Sequence, residues 1–105
     1  MIFSLKKSEK ATDAQLLEKY LTTGRLDVLG DLYDRYIPLV YGLCLKYLKS
    51  VDKAEDAVMQ IFEELVEKVR KYEIKEFRTW LYSVARNYCL QQLRSGREDL
   101  SLIHL

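Results

Sequence analysis

Residues 52–72 read DKAEDAVMQIFEELVEKVRKY, and this stretch decides the fold class. Apolar residues recur in it every three or four positions, which places them along one stripe of an α-helix. Asp52, followed by Glu55 three residues later, is a pair typical of a helix start, so we expect the helix to run from Asp52 to about Tyr72. Its apolar stripe comprises Ala54, Ala57, Val58, Ile61, Phe62, Leu65, Val66 and Val69.

The same period continues towards the N-terminus. Thr12 and Gln15 have the spacing of a capping box, and the helix that they open is expected to end near Gly24. A second pattern covers residues 26–49 and crosses Pro38, the single proline. Because proline cannot donate the helical hydrogen bond, we expect either a kink or a break with Pro38 in the first turn of a new helix.

Beyond residue 75, a last helix is predicted from about Glu76 to Arg94, with Ser95 and Gly96 at its end. Its apolar stripe comprises Phe77, Trp80, Leu81, Val84, Ala85 and Tyr88, with Trp80 at the margin, where it is either core or half exposed. The chain is therefore predicted to be all-α, a compact bundle of about four helices. Residues 1–11 are predicted to be a flexible lead-in.

Length and composition suit one small domain, with 105 residues of which 49% are hydrophobic. Cys44 and Cys89 belong to no metal-binding pattern and are interpreted as reduced thiols that act as small hydrophobic side chains. The N-terminal apolar run is too short for a signal peptide, and no stretch approaches a membrane span. We therefore expect a cytoplasmic protein with no membrane contact.

Catalytic chemistry finds little support in the sequence. The one histidine, His104, lies in the tail. No serine or cysteine has a recognisable base partner, and Glu63, Glu64 and Glu67 lack the Glu-x-x-His spacing of di-metal bundles. No phosphate-binding glycine loop is present. The prediction is a protein without enzymatic activity, metal or other cofactor.

Charge is unevenly distributed, although the net charge is only +1. Residues 52–76 hold eight acidic and five basic residues, whereas residues 77–97 hold four arginines and no acid. A helical wheel of residues 52–72 gathers, opposite the apolar stripe, Asp52, Asp56, Met59, Gln60, Glu63 and Glu67. This set, the acidic face, is either an ordinary solvated surface or a docking site for a basic partner.

The last helix carries the complementary pattern. Away from its apolar stripe lie Arg78, Thr79, Tyr82, Ser83, Arg86, Asn87, Leu90 and Arg94, which together form the basic face. Arginines suit phosphates, an amide suits base edges and an aromatic ring suits stacking on bases. Four arginines on one helix are nevertheless common, so the composition of this face alone leaves nucleic-acid binding open.

Three segments in order resemble the second conserved region of extracytoplasmic-function sigma factors of bacterial RNA polymerase. They are LYDRYIPLVYGLCLKYLKS at residues 32–50, DKAEDAVMQIFEEL at 52–65 and FRTWLYSVARNYCLQQLR at 77–94. The family pattern is Asp-Ala-Glu-Asp-x-x-Gln-Glu-x-Phe followed by Phe-x-x-Trp-Leu-x-x-Ile-Ala-x-Asn and a basic end. The resemblance covers about residues 28–97, and it identifies residues 12–97 as the region 2 domain and 98–105 as the start of an interdomain linker.

The resemblance implies partners and roles. Asp56, Gln60 and Glu63 match the helix that binds the coiled coil of the largest polymerase subunit, and Glu67 extends their stripe. Trp80 and Asn87 match positions near the melted minus-ten element of promoter DNA. The remaining predicted DNA contacts are Arg78, Ser83, Arg86 and Arg94. An anti-sigma factor is a further candidate partner.

The chain also departs from the family pattern. Ser83 stands where a basic residue is frequent, Gln91 replaces a commonly acidic residue, and Met59 and Ile61 are less usual in the polymerase-binding helix. The helix-turn-helix domain that reads the minus-thirty-five element is absent, which favours a piece of a longer protein. Two alternatives stay open: a helical protein-interaction module that binds no DNA, and a different helical DNA-binding domain, although no tight helix-turn-helix stands out.

Overall fold

The structure, a computed structural model, describes the backbone of residues 10–104 and the side chains of residues 10–95. Its helices are α1 (Asp13–Thr23), α2 (Leu26–Asp34), α3 (Ile37–Leu48), α4 (Val51–Lys71) and α5 (Phe77–His104). No strand occurs in this part of the chain, which confirms the all-α prediction, with five helices in place of about four. Most of the predicted lead-in, residues 1–9, lies outside the described residues.

The start and end of α1 are as predicted. The Thr12 hydroxyl accepts from the Gln15 backbone N–H at 3.1 Å, and the Gln15 side chain accepts from the Thr12 N–H at 2.9 Å. Gly24 ends the helix with a φ of 69°, a left-handed conformation that a residue without Cβ adopts at little cost. This end turns the chain so that α2 can pack against α1.

Of the two conformations predicted at Pro38, a kink or a helix break, the structure has the break. α2 ends at Asp34, α3 begins at Ile37, and Pro38 occupies the first turn of α3, where its missing N–H costs no helical hydrogen bond. Tyr36 is the N-cap of α3, so its side chain projects from the corner between the two helices.

The predicted cap of α4 is wrong. Ser50 caps the helix, because its hydroxyl accepts from the Lys53 backbone N–H at 3.2 Å. Asp52 is already helical and lies in the first turn, where its negative charge complements the helix dipole instead of capping it. The predicted end near Tyr72 agrees with the last helical residue, Lys71.

The predicted end of α5 is also wrong, since the helix continues past Ser95 and Gly96 to His104. A glycine inside a helix costs only about 1 kcal/mol relative to alanine. No proline follows it, and residues 97–100 include the good helix formers Arg97, Glu98 and Leu100. The segment predicted to begin a linker, 98–105, is therefore helical through His104.

The core forms around α4. Ala54, Ala57, Val58, Ile61, Leu65 and Val69 of its predicted stripe are buried, whereas Phe62 and Val66 are half-buried. Two buried tyrosines attach neighbouring helices to α4: the Tyr33 hydroxyl donates to the Val58 carbonyl at 2.7 Å, and that of Tyr20 donates to the Val66 carbonyl at 3.1 Å. These bonds satisfy the two hydroxyls inside the apolar interior.

The two cysteines meet in the core between α3 and α5. Both are fully buried free thiols, and their Sγ atoms lie 3.6 Å apart. Burial, with the neighbouring thiol, raises the pKa of Cys44 to about 12, and burial raises that of Cys89. Their position agrees with the interpretation as small hydrophobic side chains, although the contact across 45 residues was not predicted.

Candidate functional site

The acidic face of α4 is open to solvent. All six of its members are exposed, and Met59 shows 44% of its surface. Among the described residues, Asp56, Glu63 and Glu67 enter no ion pair, in contrast to Glu64, which pairs with Lys68 at 2.9 Å. The face therefore presents unneutralised carboxylates around an exposed thioether.

An apolar notch of about 320 Å³ adjoins the acidic face. It lies between α3 and α4, and its lining is Ile37, Tyr41, Glu55, Val58 and Met59. A neighbouring depression is lined by Asp52, Lys53, Glu55, Asp56 and Met59. Met59 and Glu55 belong to both, so an apolar recess and an acidic rim form one continuous surface. The contribution of α3 to it was not predicted.

The basic face of α5 is exposed as well, apart from the half-buried Leu90. Within residues 10–95, Arg78, Arg86, Asn87 and Arg94 form no side-chain hydrogen bond or ion pair. The other arginines behave differently: Arg25 and Arg35 form ion pairs, and Arg70 lies over the Tyr20 ring at 5.0 Å and donates to the Leu21 carbonyl. Among the arginines of residues 10–95, the three predicted DNA contacts are thus the ones that form no internal hydrogen bond or ion pair.

Trp80 lies at the edge of the basic face and is half-buried. Its ring packs against Phe77 with centroids 6.1 Å apart and an angle of 41°. A shallow groove runs over it, with a lining of Glu73, Lys75, Glu76, Thr79, Trp80 and Ser83. Trp80 is therefore half exposed, one of its two predicted positions, and it contributes to a recess at the start of α5.

Two details of this groove differ from the sequence pattern. The Ser83 hydroxyl donates to the Trp80 carbonyl at 2.7 Å, so its proton is engaged within the helix, although its oxygen can still accept. The groove also contains carboxylates from the connector between α4 and α5, although α5 itself holds no acid in residues 77–95. One of them, Glu76, accepts from the Thr79 hydroxyl.

A third cluster, at the α2–α3 corner, was not predicted. Asp13, the first residue of α1, accepts from Arg35 Nη1 at 2.9 Å and from the Tyr36 hydroxyl. Arg35 Nη2 donates to the Ala11 carbonyl at 2.5 Å. The Tyr36 ring contacts the Phe77 ring with centroids 5.9 Å apart. No local periodicity could have indicated contacts between residues this far apart in the chain.

Burial and the Asp13 carboxylate raise the pKa of Tyr36 from 10.0 to about 12, so its hydroxyl remains a hydrogen-bond donor at pH values where a free tyrosine is ionised. Tyr88 on α5 also has a raised pKa, first because of burial and then because of Asp56 and Glu64 on α4. Tyr88 therefore lies where the acidic side of α4 approaches α5.

Neither a metal centre nor a membrane span is found in the described part of the chain. No group of three or more His, Cys, Asp or Glu side chains could hold a metal ion there. None of the helices combines the length and the apolar character needed to cross a bilayer.

Comparison with known proteins finds a matching family and curated relatives. The family described as sigma-70 region 2 matches residues 32–98. The ECF RNA polymerase sigma factor SigW of Bacillus subtilis is 31% identical over 85 residues, which cover 80% of this chain and 46% of SigW. The ECF RNA polymerase sigma factor BldN of Streptomyces coelicolor is 28% identical over 97 residues, which cover 90% of this chain and 36% of BldN.

The ECF RNA polymerase sigma factor SigM of Bacillus subtilis is 24% identical over 74 residues, 70% of this chain and 45% of SigM. The chain thus spans about half the length of these curated relatives or less. No solved structure matches it.

Proposed function

We propose that this chain acts in transcription initiation as a sigma factor domain, because it belongs to the sigma-70 region 2 family and is of the extracytoplasmic-function type. It binds core RNA polymerase through the acidic face and single-stranded promoter DNA through the basic face. The polymerase supplies the chemistry, so the domain itself needs no catalytic residue. Its proposed location is the cytoplasm, and an anti-sigma factor is a further proposed partner.

The observation that carries this proposal is the freedom of the basic face. Arg78, Arg86 and Arg94 are exposed and form no ion pair with any side chain of residues 10–95, and they extend over roughly 24 Å of helix. Unpaired arginines can neutralise phosphates and release counterions at no cost in broken internal contacts. Had these residues been paired inside the bundle, a protein-interaction module without DNA binding would have been favoured.

The groove over Trp80 suits an unstacked base. A half-buried indole offers a stacking surface, and unstacking a base costs a few kcal/mol that such a pocket must offset. Because Glu73 and Glu76 line the groove, phosphates are disfavoured there and amino groups of bases are favoured. The phosphates then follow the arginines while one base enters the groove, which stabilises the melted strand.

The surface formed by the acidic face and the apolar notch suits a basic helix that carries an apolar side chain. Unneutralised Asp56 and Glu63 attract the basic residues, and the notch beside Met59 accepts the apolar group. The coiled coil of the largest polymerase subunit is the proposed partner. Charge then sets orientation and association rate, and burial in the notch contributes affinity.

Capture of a coiled-coil fragment of the polymerase tests the docking. The wild-type chain is expected to bind it, whereas Asp56→Lys and Glu63→Lys, alone and together, weaken binding, by about tenfold or more for the double variant because like charges then face each other. Glu18→Lys on α1 makes the same charge change as each single variant outside the acidic face and serves as the control. Unchanged affinity of a folded double variant would contradict this docking surface.

The rival function is a helical interaction module without DNA binding, which the acidic face and the net charge of +1 favour. Fluorescence anisotropy with a single-stranded oligonucleotide library, with and without polymerase core, separates the two. Sigma activity predicts salt-dependent binding that core polymerase strengthens. Capture of the coiled coil without any DNA binding in the complex would favour the rival.

A further inference from the structure

Three aromatic rings connect the N-terminus of α1 to the groove over Trp80. The Asp13 carboxylate holds the Tyr36 hydroxyl, the Tyr36 ring contacts Phe77 at 5.9 Å, and Phe77 contacts Trp80 at 6.1 Å. The interplanar angles are 45° and 41°, and both centroid distances lie within the roughly 4.5–7 Å at which aromatic pairs interact. These contacts join the start of α1, the corner between α2 and α3, and the start of α5.

The rings differ in how firmly they are held. Phe77 is 3% exposed and is the first residue of α5, so its ring has packed neighbours on several sides. Tyr36 is half-buried, and it is fixed at both ends of its side chain, by the α3 N-cap backbone and by Asp13. Asp13 is itself held by Arg35 at 2.9 Å. Trp80 has the groove on its free side.

We infer that Tyr36, anchored by Asp13, is a positioning residue that sets the orientation of Trp80 through Phe77. A single ring over an open groove has freedom to rotate unless a packed neighbour restricts it, and Phe77 is that neighbour. α1 thereby affects how Trp80 captures a base, although Asp13 lies outside residues 32–98, the part of the chain that matches the family. The role of Trp80 in base capture rests on the proposed function, whereas its orientation by Tyr36 does not.

The chain provides its own reporter, since Trp80 is the one tryptophan. Excited at the red edge of its absorption, where tyrosines do not absorb, its emission maximum and its quenching by acrylamide report the exposure of this ring alone. Tyr36→Leu removes the ring contact, and Tyr36→Phe removes only the hydroxyl bonded to Asp13. Tyr47→Leu is the matched control, because Tyr47, on α3, is half-buried like Tyr36 but makes no ring contact with Phe77 or Trp80 among the described residues.

Quenching of Trp80 is expected to increase most in Tyr36→Leu, to an intermediate extent in Tyr36→Phe and not at all in Tyr47→Leu. Binding of a single-stranded oligonucleotide library by Tyr36→Leu should weaken by roughly 2- to 10-fold, the effect of one aromatic pair. Base preference should flatten, while the salt slope set by the arginines stays unchanged.

An unchanged Trp80 signal in folded Tyr36→Leu overturns the inference. If that variant does not fold, an unchanged signal in Tyr36→Phe overturns the anchoring by Asp13. A changed signal with wild-type base preference would show that the positioning has no bearing on DNA. If wild-type protein with polymerase binds no promoter DNA, the proposed function fails, and the fluorescence series still decides whether Tyr36 orients Trp80.

Discussion

Asn87 and the arginines beside it share one exposed face but differ in what they can recognise. An amide donates and accepts, so it can pair with a base edge, whereas a guanidinium only donates and suits phosphate. Because none of them has an internal partner within residues 10–95, their substitution should leave the bundle intact. Any loss of DNA binding then reports a direct contact.

The two kinds of variant are therefore expected to fail differently. Arg86→Ala or Arg94→Ala should weaken binding to all sequences alike and reduce the salt slope by about one. Asn87→Ala should leave the slope unchanged and flatten discrimination among minus-ten variants, measured in the full-length factor with polymerase. Gln92→Ala, an exposed amide of α5 outside the basic face, is the control. Wild-type promoter preference in folded Asn87→Ala protein would exclude the base-reading role.

Leu81 and Phe62 both lie mid-stripe in the sequence pattern, but their burial differs. Leu81 is fully buried, so Leu81→Ala should cost ~2–5 kcal/mol through lost burial and a cavity. Phe62 is half-buried and contacts the Tyr33 ring at 5.3 Å, so its truncation should cost less than that of a fully buried phenylalanine, which is about 3–5 kcal/mol. Urea unfolding of both variants measures the two losses. A loss under about 2 kcal/mol for Leu81→Ala, or one of about 3–5 kcal/mol for Phe62→Ala, would contradict the observed packing.

At the level of the helix, Ser50 and Asp52 are two distinct contributors to the start of α4. Ser50→Ala removes the bond to the Lys53 N–H and should cost about 0.5–2 kcal/mol. Asp52→Ala removes only a favourable charge near the dipole and should cost about 0.3–1 kcal/mol, less in high salt. Unfolding free energies at low and high salt separate them. Strong salt dependence in Ser50→Ala, with none in Asp52→Ala, would reverse the assignment.

The elements differ in how much of them could be predicted from the sequence. The predicted apolar stripe of α4 agrees almost completely with the side chains that are buried. The reason is that residues facing the core recur with the 3.6-residue period of the helix. Its cap was predicted wrongly because Asp52 and Glu55 have the spacing of a capping pair, although both lie inside the helix and Ser50 is the cap. The end of α5 was missed because Ser95 and Gly96 are only weak breakers without a following proline.

The candidate site shows the same division. The acidic and basic faces were predicted because exposure follows from the helical period, and every charged residue assigned to them is exposed. The apolar notch, the carboxylates in the Trp80 groove and the contact from Asp13 through Tyr36 were not predicted. Each arises where two or three helices meet, and contacts between helices depend on packing that the period of one helix does not contain.

At the scale of the whole molecule, two tyrosine hydroxyls and one thiol, all buried or half-buried and protonated, form contacts between helices. The Tyr33 hydroxyl donates to α4, the Tyr36 hydroxyl donates to α1, and the Cys44 thiol meets Cys89 across the core. Burial raises the pKa of all three, that of Cys44 to about 12 from an ordinary 9.0 and that of Tyr36 to about 12. The fold is therefore coupled to alkaline titration at several places.

The sign of this coupling is fixed by the raised pKa of Cys44. The folded protein holds the thiol proton more tightly than the unfolded chain, so the stabilisation is fully present below pH 9 and decreases as pH rises towards about 12. Urea unfolding below pH 9 and between pH 9 and 12 should show stability falling with pH. Cys44→Ala keeps Cβ, removes the titrating group and should give a shallower slope, even if its stability at neutral pH is lower. Equal slopes in wild type and Cys44→Ala would mean that the thiol is ionised as readily in the fold as in the unfolded chain, against its burial between α3 and α5.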